Sequence, residues 1–511
     1  MDEVQYVRQG ASMGTHGLEP TGWGNPPLFK YLLFGEYGVL FLVGKLLGWY
    51  RSTAEFGAAN TLDPTALYLL GRGTSALLGA ATIAVVFVIA EVAYNRRVGL
   101  LAAWFLATAF FHVRESHFAV NDVATTFLVT LTMLFAILIA VEGKIRWYVL
   151  AGITLGLGFA TKYSAIFTLV PIVVAHFVSP SASQSRLAKP NLSRLIVSPA
   201  VAGLTAVIVS PYFILRPGNV IHDTYQGLYL AAQQGFDGWQ IDSAGGYVFY
   251  ARTLIWGLGW GLCFLTLAGW ALALWRHSPG DVVLLSLPVT FYLLLGRQQM
   301  YFARFILPCV PIILVLAARS LDVVCARVLP ERRTQAAVVA GIAMLVTSQP
   351  LANSIRFDYL MTQTDTRTLA KQWIEDNLPA GARIAVDWPF YGPPLATNDK
   401  LQPASERTFN VTVLGGEGLS QHPLSWYREQ GYDYLVVSSF IADIPVLDAE
   451  RNRIRQRFYA PLASDLGLVQ QLRPSSSLSL GTWVFDEVYG PAVSLWQRER
   501  PGPTITVYRL P

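Results

Sequence analysis

Two acidic residues near the start of the chain, Asp2 and Glu3, precede about ten long apolar segments. A third acid, Asp122, lies between two of these segments, directly before the apolar run that begins at Val123. A carboxylate beside a membrane segment can take a proton from a substrate hydroxyl. Simpler interpretations also exist, because terminal charges are often solvated and Asp122 can cap the helix that follows it.

Basic side chains flank the same apolar segments. They are Lys30, Lys162, Arg297 and Arg304. Such groups match the oxygens of a phosphate, although each of them alone could simply reach lipid headgroups. Further candidates for contact with a substrate are His117, His222 and Trp239. Aromatic residues at the membrane surface form either an interface belt or a platform for a sugar, and the sequence does not distinguish these two roles.

Acids and cations on one side of a membrane suggest a specific chemistry. A carboxylate can deprotonate an acceptor hydroxyl while the cations stabilise the phosphate that leaves a lipid-linked donor. That reaction is glycosyl transfer from a polyprenyl phosphate, with inversion at the sugar carbon if it is one direct displacement. The same residues would suit a transporter or flippase for lipid-linked saccharides, although we find no internal repeat. A non-catalytic scaffold is the third possibility.

The composition is that of an integral membrane protein. Of 511 residues, 53% are hydrophobic and 14% are charged, and the mean hydropathy is +0.40; soluble domains carry roughly 25% charged residues. The net charge is +5, but the basic residues lie in short loops between apolar runs, so they do not predict nucleic-acid binding. The three cysteines show no CxxC spacing, which predicts neither a disulfide framework nor a zinc site.

Ten membrane crossings are predicted within a domain that comprises residues 1–355, after a first external loop, 1–50. Two short helices share 147–178 and meet at Lys162, because a charge at the middle of a bilayer is costly. The other predicted spans are about 68–94, 98–113, 123–141, 195–215, 253–275, 281–296, 303–320 and 335–350. Segment 28–50 contains charged residues, so we interpret it as an interfacial or re-entrant helix.

The distribution of basic residues predicts the orientation. Alternate loops carry eleven Lys and Arg residues on one side and six on the other. The side with eleven is expected to be cytoplasmic in a prokaryotic membrane, which places the acids on the extracytoplasmic side. The chain changes character at 356–511, where a helix and three strands predict a small extracytoplasmic α/β domain. These elements are Thr366–Asn377, Arg383–Val386, Tyr434–Val437 and Thr504–Tyr508.

Several short motifs occur in an order that resembles the GT-C membrane glycosyltransferases. The first is Asp2-Glu3 with Tyr6, and the next is Pro26-Pro27-Leu28 with Lys30. The others are Gly71-Arg72, Arg97–Ala103, Ser116-His117 through Asp122, Gly158–Lys162, Ser210-Pro211-Tyr212 and Arg304–Pro308. The resemblance covers roughly residues 1–350 and is greatest to protein O-mannosyltransferases and aminoarabinose transferases.

The resemblance implies a role for each matched residue. Asp2 would be the catalytic acid–base residue, and the other two catalytic acids would be its neighbour Glu3 and Asp122, at the second acidic position. Lys30, with Arg297 or Arg304, would hold the donor phosphate, and Lys162 matches that role more weakly. The implied enzyme is a mannosyltransferase-like glycosyltransferase without a cofactor, whose partners are a polyprenyl-phosphate sugar, membrane lipids and an unidentified hydroxyl acceptor. In an oligosaccharyltransferase-like alternative, the three acids would hold a divalent metal.

The sequence departs from the family at two points. Family members carry a transmembrane helix directly before the acidic pair, whereas this chain begins at Met1. We therefore expect that this first helix is missing from the sequence and that Met1 is an internal residue of the native protein. The histidine that often precedes the two prolines is Asn25 here, which argues against the protein-mannosylating subgroup.

Overall fold

A computed structural model shows a helical bundle followed by a small sheet domain. It describes residues 2–180, 193–229, 244–329, 331–387, 391–395, 409–443, 449–476 and 485–511. The helices of the first part are α1 (Asp2–His16), α2 (Leu28–Leu46), α3 (Thr53–Leu62), α4 (Thr65–Ala93), α5 (Arg96–Thr108), α6 (Phe110–Glu115), α7 (Asn121–Glu142), α8 (Ile145–Thr161), α9 (Leu169–Val178), α10 (Ser193–Val209), α11 (Tyr212–Leu215), α12 (Pro217–Tyr229), α13 (Gly246–Arg276), α14 (Pro279–Leu295), α15 (Val310–Val328) and α16 (Arg332–Met361).

Five helical segments in the described part of the chain are long and apolar enough to cross a membrane. They are Thr65–Ala93, Asn121–Glu142, Gly246–Arg276, Ala303–Val328 and Arg333–Asn377. The remaining predicted spans are also helical but shorter, such as Ile145–Thr161 and Pro279–Leu295. A perpendicular crossing takes about 20 residues, so the number of ten crossings remains a prediction. The membrane placement of α2 remains a prediction as well.

The predicted helix break at Lys162 is confirmed. Helix α8 ends at Thr161, and Lys162 has an extended backbone (φ −155°, ψ 131°) before the 3-10 turn Tyr163–Thr168. The break keeps the lysine out of a continuous helix and leaves its side chain at the end of the bundle where α7 begins. The ammonium can therefore reach Asp122, in the first turn of α7.

Close helix packing fixes this end of the bundle. A Cβ atom on Gly156 would lie 2.5 Å from the carbonyl oxygen of Ala202 on α10, and one on Gly152 would lie 2.7 Å from that of Ser198. Small residues at this spacing allow two helices to pack backbone against backbone. Helix α15 lies in the centre of the bundle, since every residue from Val310 to Asp322 is buried.

The second part of the chain is a five-stranded mixed sheet with the order β2-β1-β3-β5-β4. The strands are β1 (Arg383–Asp387), β2 (Asn410–Leu414), β3 (Tyr434–Ser438), β4 (Gly467–Leu472) and β5 (Ile505–Arg509). Strands β2, β1 and β3 are parallel, whereas β5 runs antiparallel to β3 and β4. The accompanying helices are α17 (Thr366–Asn377), α18 (Leu424–Glu429), α19 (Ser439–Ala442), α20 (Ala449–Tyr459) and α21 (Leu462–Asp465).

The fold class predicted from the sequence is confirmed, including the α/β character of the C-terminal part. The predicted helix Thr366–Asn377 has those bounds, and the three predicted strands are β1, β3 and β5. Strands β2 and β4 were not predicted. Both lie at the edges of the sheet, where one side of a strand has no neighbour and the alternation of buried and exposed residues is weak.

Candidate active site

Two acids and two cations from distant parts of the sequence meet at one end of the helical bundle. Asp2 is in the first turn of α1, and Asp122 is in the first turn of α7. Lys162 follows α8, and Arg304 lies in the 3-10 turn Ala303–Cys309 that leads into α15. Each side chain therefore lies at the end of a helix or beside one, and the packing of the bundle fixes its position.

Arg304 connects the two acids. Its Nη2 donates to Oδ2 of Asp2 at 2.7 Å, and its Nε lies 3.5 Å from Oδ2 of Asp122. The second oxygen of Asp122, Oδ1, accepts from Nζ of Lys162 at 2.5 Å. Each oxygen of Asp122 thus faces a cation, and Arg304 shares its guanidinium between the two carboxylates.

Aromatic rings cover both cations. The guanidinium carbon of Arg304 lies 4.2 Å from the ring centre of Tyr489 and 4.5 Å from that of Phe302. Nζ of Lys162 lies 4.4 Å from the ring centre of Phe305. Cations on aromatic faces are attracted by the ring quadrupole, most strongly where water is excluded. The rings therefore hold the positive charges in a poorly hydrated place.

A small cavity that is open to solvent adjoins the cluster. Its walls are formed by Asp2, Glu3, Glu115, Phe118, Val120, Arg304 and Tyr489. The side chain of Asp2 is 32% exposed, whereas that of Asp122 is 4% exposed. Asp2 is consequently the carboxylate that a molecule in the cavity can reach, and Asp122 lies behind the cations.

Glu3 has different contacts from its neighbour Asp2. It accepts hydrogen bonds from Nε and Nη2 of Arg72, at 2.9 and 2.8 Å, and from the backbone N–H of Ala119 at 2.8 Å. Burial opposes ionisation of Glu3, but Arg72 outweighs this effect, so the pKa of Glu3 lies below its ordinary value. These contacts attach α1 to α4. The catalytic role of Glu3 remains a prediction, and its geometry is that of an anchor.

Lys30 is separated from the cluster by one layer of contacts. Its Nζ donates to the carbonyl oxygens of Gly22 and Asn25, at 3.1 and 3.0 Å. The Asn25 side chain in turn accepts from Asn121, the residue before Asp122. The ammonium of Lys30 thus orders the loop before α2. Binding of a phosphate by Lys30 remains a prediction that these contacts do not support.

The remaining predicted residues lie apart from the four charged groups. Arg297 is exposed in the loop after α14, and His222 is exposed on α12. Nε2 of His117 lies 3.2 Å from Oδ1 of Asp358 on α16, and its Nδ1 is 2.8 Å from the carbonyl oxygen of Val113. Trp239 lies outside the described residues.

Sequence analysis missed the contribution of the C-terminal part to this site. Tyr489 accepts a hydrogen bond from Nη2 of Arg304 at 3.4 Å, and Asp486 accepts one from the backbone N–H of Ala303 at 3.1 Å. Burial raises the pKa of Asp486 above its ordinary value. The sequence around Tyr489 has no pattern that points to a site nearly 200 residues away. Arg72 was part of a motif, but its role as the partner of Glu3 was not predicted.

The acids of the cluster have cations as partners rather than each other. Asp2 and Asp122 share Arg304, Asp122 also binds Lys162, and Glu3 binds Arg72. Within the described ranges, no group of three or more His, Cys, Asp or Glu side chains has the geometry to hold a metal ion. Each of these three acids is thus paired with a cation in the structure.

Residues 70–214 match a family model described as dolichyl-phosphate-mannose-protein mannosyltransferase. This match includes Asp122 and Lys162 but neither Asp2 nor Arg304. No curated protein matches the chain by sequence.

Solved structures are similar to the chain over nearly its whole length. The apo oligosaccharyltransferase of Archaeoglobus fulgidus is 14% identical, with a TM-score of 0.54 over 99% of this chain and 72% of that one. Oligosaccharyltransferase AglB of the same organism, in complex with an inhibitory peptide and a dolichol-phosphate, is 13% identical, with a TM-score of 0.53 over 99% and 84%. ArnT from Cupriavidus metallidurans, bound to undecaprenyl phosphate, is 13% identical, with a TM-score of 0.50 over 99% and 93%.

These structures share one architecture, and the chain therefore has the GT-C fold of membrane glycosyltransferases. The resemblance predicted from the short motifs is confirmed at the level of the fold. At 13–14% identity, the likeness carries no information about the sugar or the acceptor.

Proposed function

We propose that the protein is a membrane glycosyltransferase that moves a sugar from a polyprenyl-phosphate donor to a hydroxyl acceptor. The observation that carries the proposal is the cluster of Asp2, Arg304, Asp122 and Lys162, of which Asp2 and Arg304 line a cavity. The solved structures of similar fold bound to undecaprenyl phosphate and dolichol-phosphate support this donor class. The family model that matches residues 70–214 supports glycosyl transfer from a lipid-linked sugar.

The two acids have different tasks in this proposal. Asp2 is the general base, because it is the exposed carboxylate of the pair and lines the cavity. Asp122 keeps Lys162 and Arg304 in place, because both of its oxygens face these cations and its side chain is buried. A general base must come within hydrogen-bond reach of the proton that it takes, and the accessible acid satisfies this requirement better.

The transfer step follows from these positions. Asp2 takes the proton of the acceptor hydroxyl while the acceptor oxygen forms a bond to the anomeric carbon of the sugar. The bond between that carbon and the phosphate oxygen breaks, and the phosphate leaves with both electrons of the bond. Arg304 and Lys162 stabilise the charge that develops on the phosphate. One displacement of this kind inverts the configuration of the sugar carbon.

Arg304 also connects donor binding to the release of the base. A phosphate at the guanidinium competes with Asp2 for Nη2, because both are anions that accept hydrogen bonds from the same fork. The donor would then free the Asp2 carboxylate for the acceptor hydroxyl. The acceptor is a hydroxyl of a protein, lipid or glycan. The distribution of basic residues predicts that the reaction takes place on the extracytoplasmic face of a prokaryotic cytoplasmic membrane.

Release of label from a lipid-linked donor tests the proposal. Membranes that carry the protein are incubated with radiolabelled polyprenyl-phosphate sugars, and wild type is compared with Asp2→Asn and Asp122→Asn. The matched control is Asp281→Asn, a buried aspartate on α14 outside the cluster, assayed at a temperature at which this variant is folded. We expect label to leave the lipid with wild type and the control but not with Asp2→Asn. Release that survives both cluster substitutions would refute the assignment of the acids, and translocation of intact donor without release would identify a flippase.

A further inference from the structure

A segment near the end of the chain returns to the helical bundle and forms part of the cavity wall. We call residues 485–491 the return segment. The guanidinium of Arg114, at the end of α6, donates to the carbonyl oxygens of Asp486 at 2.8 Å, Gly490 at 2.9 Å and Pro491 at 3.1 Å. Arg114 is fully buried, so these bonds are shielded from water. One arginine of the bundle thereby fixes the backbone of the return segment.

Further contacts attach the return segment on both sides of Tyr489. The carboxylate of Asp486 accepts from the N–H of Ala303, the residue before Arg304. Gly490 has φ 155°, and a Cβ atom there would lie 2.9 Å from Cζ of Phe118, another residue of the cavity wall. The segment therefore fits against the bundle closely enough to set the position of the side chain between these two points.

That side chain is Tyr489, and its partner is the central cation of the cluster. Its ring centre lies 4.2 Å from the guanidinium carbon of Arg304, and its hydroxyl oxygen lies 3.4 Å from Nη2. The same Nη2 donates to Asp2. Tyr489 is thus in contact with the nitrogen for which Asp2 and a donor phosphate would compete.

We propose that Tyr489 is a positioning residue of the donor-phosphate site, and that the C-terminal domain thereby completes this site. The proposal rests on the proposed function, since it assigns the phosphate to Arg304. An arginine side chain has several rotatable bonds, and its fork binds a phosphate well only when its orientation is fixed beforehand. The ring of Tyr489 supplies a face on which the guanidinium is held, and the hydroxyl limits its rotation.

Substitutions at Tyr489 test the proposal through the balance between KM and kcat. Tyr489→Phe keeps the ring and removes the hydroxyl, whereas Tyr489→Leu keeps an apolar side chain of moderate size and removes the aromatic face. The matched control is Tyr427→Phe, whose buried hydroxyl donates to the carbonyl oxygen of Leu419 within the C-terminal domain. Donor KM and kcat are measured by release of label in membranes. Polyprenyl phosphate without a sugar is then used as a competitive inhibitor, and its Ki is measured.

We expect Tyr489→Leu to raise both the donor KM and the Ki of polyprenyl phosphate about tenfold. This is the loss of affinity expected when a partly buried cation–π contact is removed. Tyr489→Phe loses only the hydroxyl that contacts Nη2 and should raise the Ki about threefold, whereas Tyr427→Phe should leave KM and Ki unchanged. A thermal unfolding midpoint within a few degrees of wild type separates positioning from loss of structure. Should Tyr489→Leu bind polyprenyl phosphate as wild type does, or lose affinity no more than Tyr489→Phe, the proposal is wrong.

The failure of this inference can be told apart from the failure of the proposed function. Wild type that neither releases label nor binds polyprenyl phosphate would refute the proposed function. Wild type that does both, with a donor KM indifferent to residue 489, would refute only the role of Tyr489. If Tyr489→Leu does not fold, the Ki of Tyr489→Phe decides the question. A rise of less than twofold, equal to that of Tyr427→Phe, overturns the proposal.

Discussion

The helical bundle holds a buried pairing of arginine and aspartate near each of its ends. At one end, Arg304 binds Asp2 and Asp122, and its guanidinium lies against the ring of Tyr489. At the other end, Arg319 binds Asp281, and its guanidinium lies 4.2 Å from the ring centre of Tyr94. Arg319 follows Arg304 by 15 residues in the same helical segment, which amounts to roughly 25 Å along the axis because the first turns are 3-10.

The two clusters differ in how their carboxylates are used. Asp281 is completely buried and accepts from the backbone N–H and the hydroxyl of Ser278 and from the hydroxyl of Tyr94, in addition to Arg319. Asp2 is 32% exposed and lines a cavity. The residue types alone would mark both clusters as functional sites. The comparison shows that an acid which a substrate can reach, rather than a buried ion pair as such, distinguishes the candidate site from a structural one.

The largest effects are expected from replacing one aspartate in each cluster, Asp2 and Asp281. Asp2→Asn should lower kcat for label release roughly a hundredfold to ten-thousandfold, the usual contribution of a general base, with little change in the unfolding midpoint. Asp281→Asn leaves the buried Arg319 without its counter-charge, which should destabilise the protein by about 3–5 kcal/mol. Kinetics of release and thermal unfolding of the purified protein check both expectations. A catalytic loss in Asp281→Asn as large as in Asp2→Asn, at a temperature where both are folded, would break the distinction.

Replacement of each arginine by lysine should give the next largest effect. Arg304→Lys keeps a positive charge but loses the fork that a phosphate binds through two hydrogen bonds, so the donor KM should rise about tenfold to a hundredfold. Arg319→Lys should leave the donor KM unchanged and lower the unfolding midpoint. The measurement is the dependence of label release on donor concentration. Equal donor KM values for wild type and Arg304→Lys would show that the phosphate binds elsewhere.

Sequence analysis predicted the members of the candidate site better than their roles. It placed Asp2, Asp122, Lys162 and Arg304 on one side of the membrane domain, and the structure brings these four together. The charge pattern indicates the side of the membrane on which these residues lie, but not which of them meet, since Arg297 was placed on the same side and lies apart from the cluster. Whether a cation faces carboxylates or backbone carbonyls depends on side-chain packing, so the different environment of Lys30 was not predictable.

Contacts between distant parts of the chain could not be predicted from the sequence either. Nothing local to Tyr489 indicates that the return segment reaches Arg304, because this contact depends on how the C-terminal domain packs on the bundle. The strands show a similar limit. The central strands β1, β3 and β5 have strongly buried residues and were predicted, whereas the edge strands β2 and β4 are partly exposed and were not.

Glu3 is a further test of the difference between catalytic and structural acids. It adjoins Asp2 in the sequence, yet its contacts resemble those of the structural acid Asp281. Glu3→Gln keeps an acceptor for the N–H of Ala119 but removes the charge that binds Arg72. Since Arg72 is partly exposed, the loss of stability should be about 1 kcal/mol, and kcat should change less than threefold. The control is Glu55→Gln, an exposed glutamate at the start of α3. A large loss of kcat with an unchanged unfolding midpoint would make Glu3 catalytic, as the family resemblance implies.

Asp387 extends the comparison to a buried aspartate without a hydrogen-bonded cation. Burial raises its pKa from 3.8 to about 6, although it accepts from the N–H groups of Leu419 and Ser438 and from the hydroxyl of Tyr459. Between these two pKa values, the folded protein holds a proton that the unfolded chain has released. The stability of the C-terminal domain should therefore fall as the pH rises, by about 1 kcal/mol from pH 5 to 6, and level off at about pH 7.

The amide of Asp387→Asn cannot ionise, so this variant should lose the pH dependence between pH 4 and 6 while wild type retains it. Limited proteolysis of the full-length protein in detergent measures the stability of this domain. The rate at which C-terminal fragments are cleaved is recorded between pH 4 and 6. Glu499→Gln serves as a control, because Glu499 is an acid of the same domain whose pKa is lowered by its hydrogen bonds with Ser476 rather than raised by burial. Glu499→Gln should keep the fall of stability with pH, since an acid of lowered pKa contributes stability that rises with pH. A falling slope that persists in Asp387→Asn would show that another group holds the proton. In that case burial without a cation would not be what makes a carboxylate in this protein sensitive to pH.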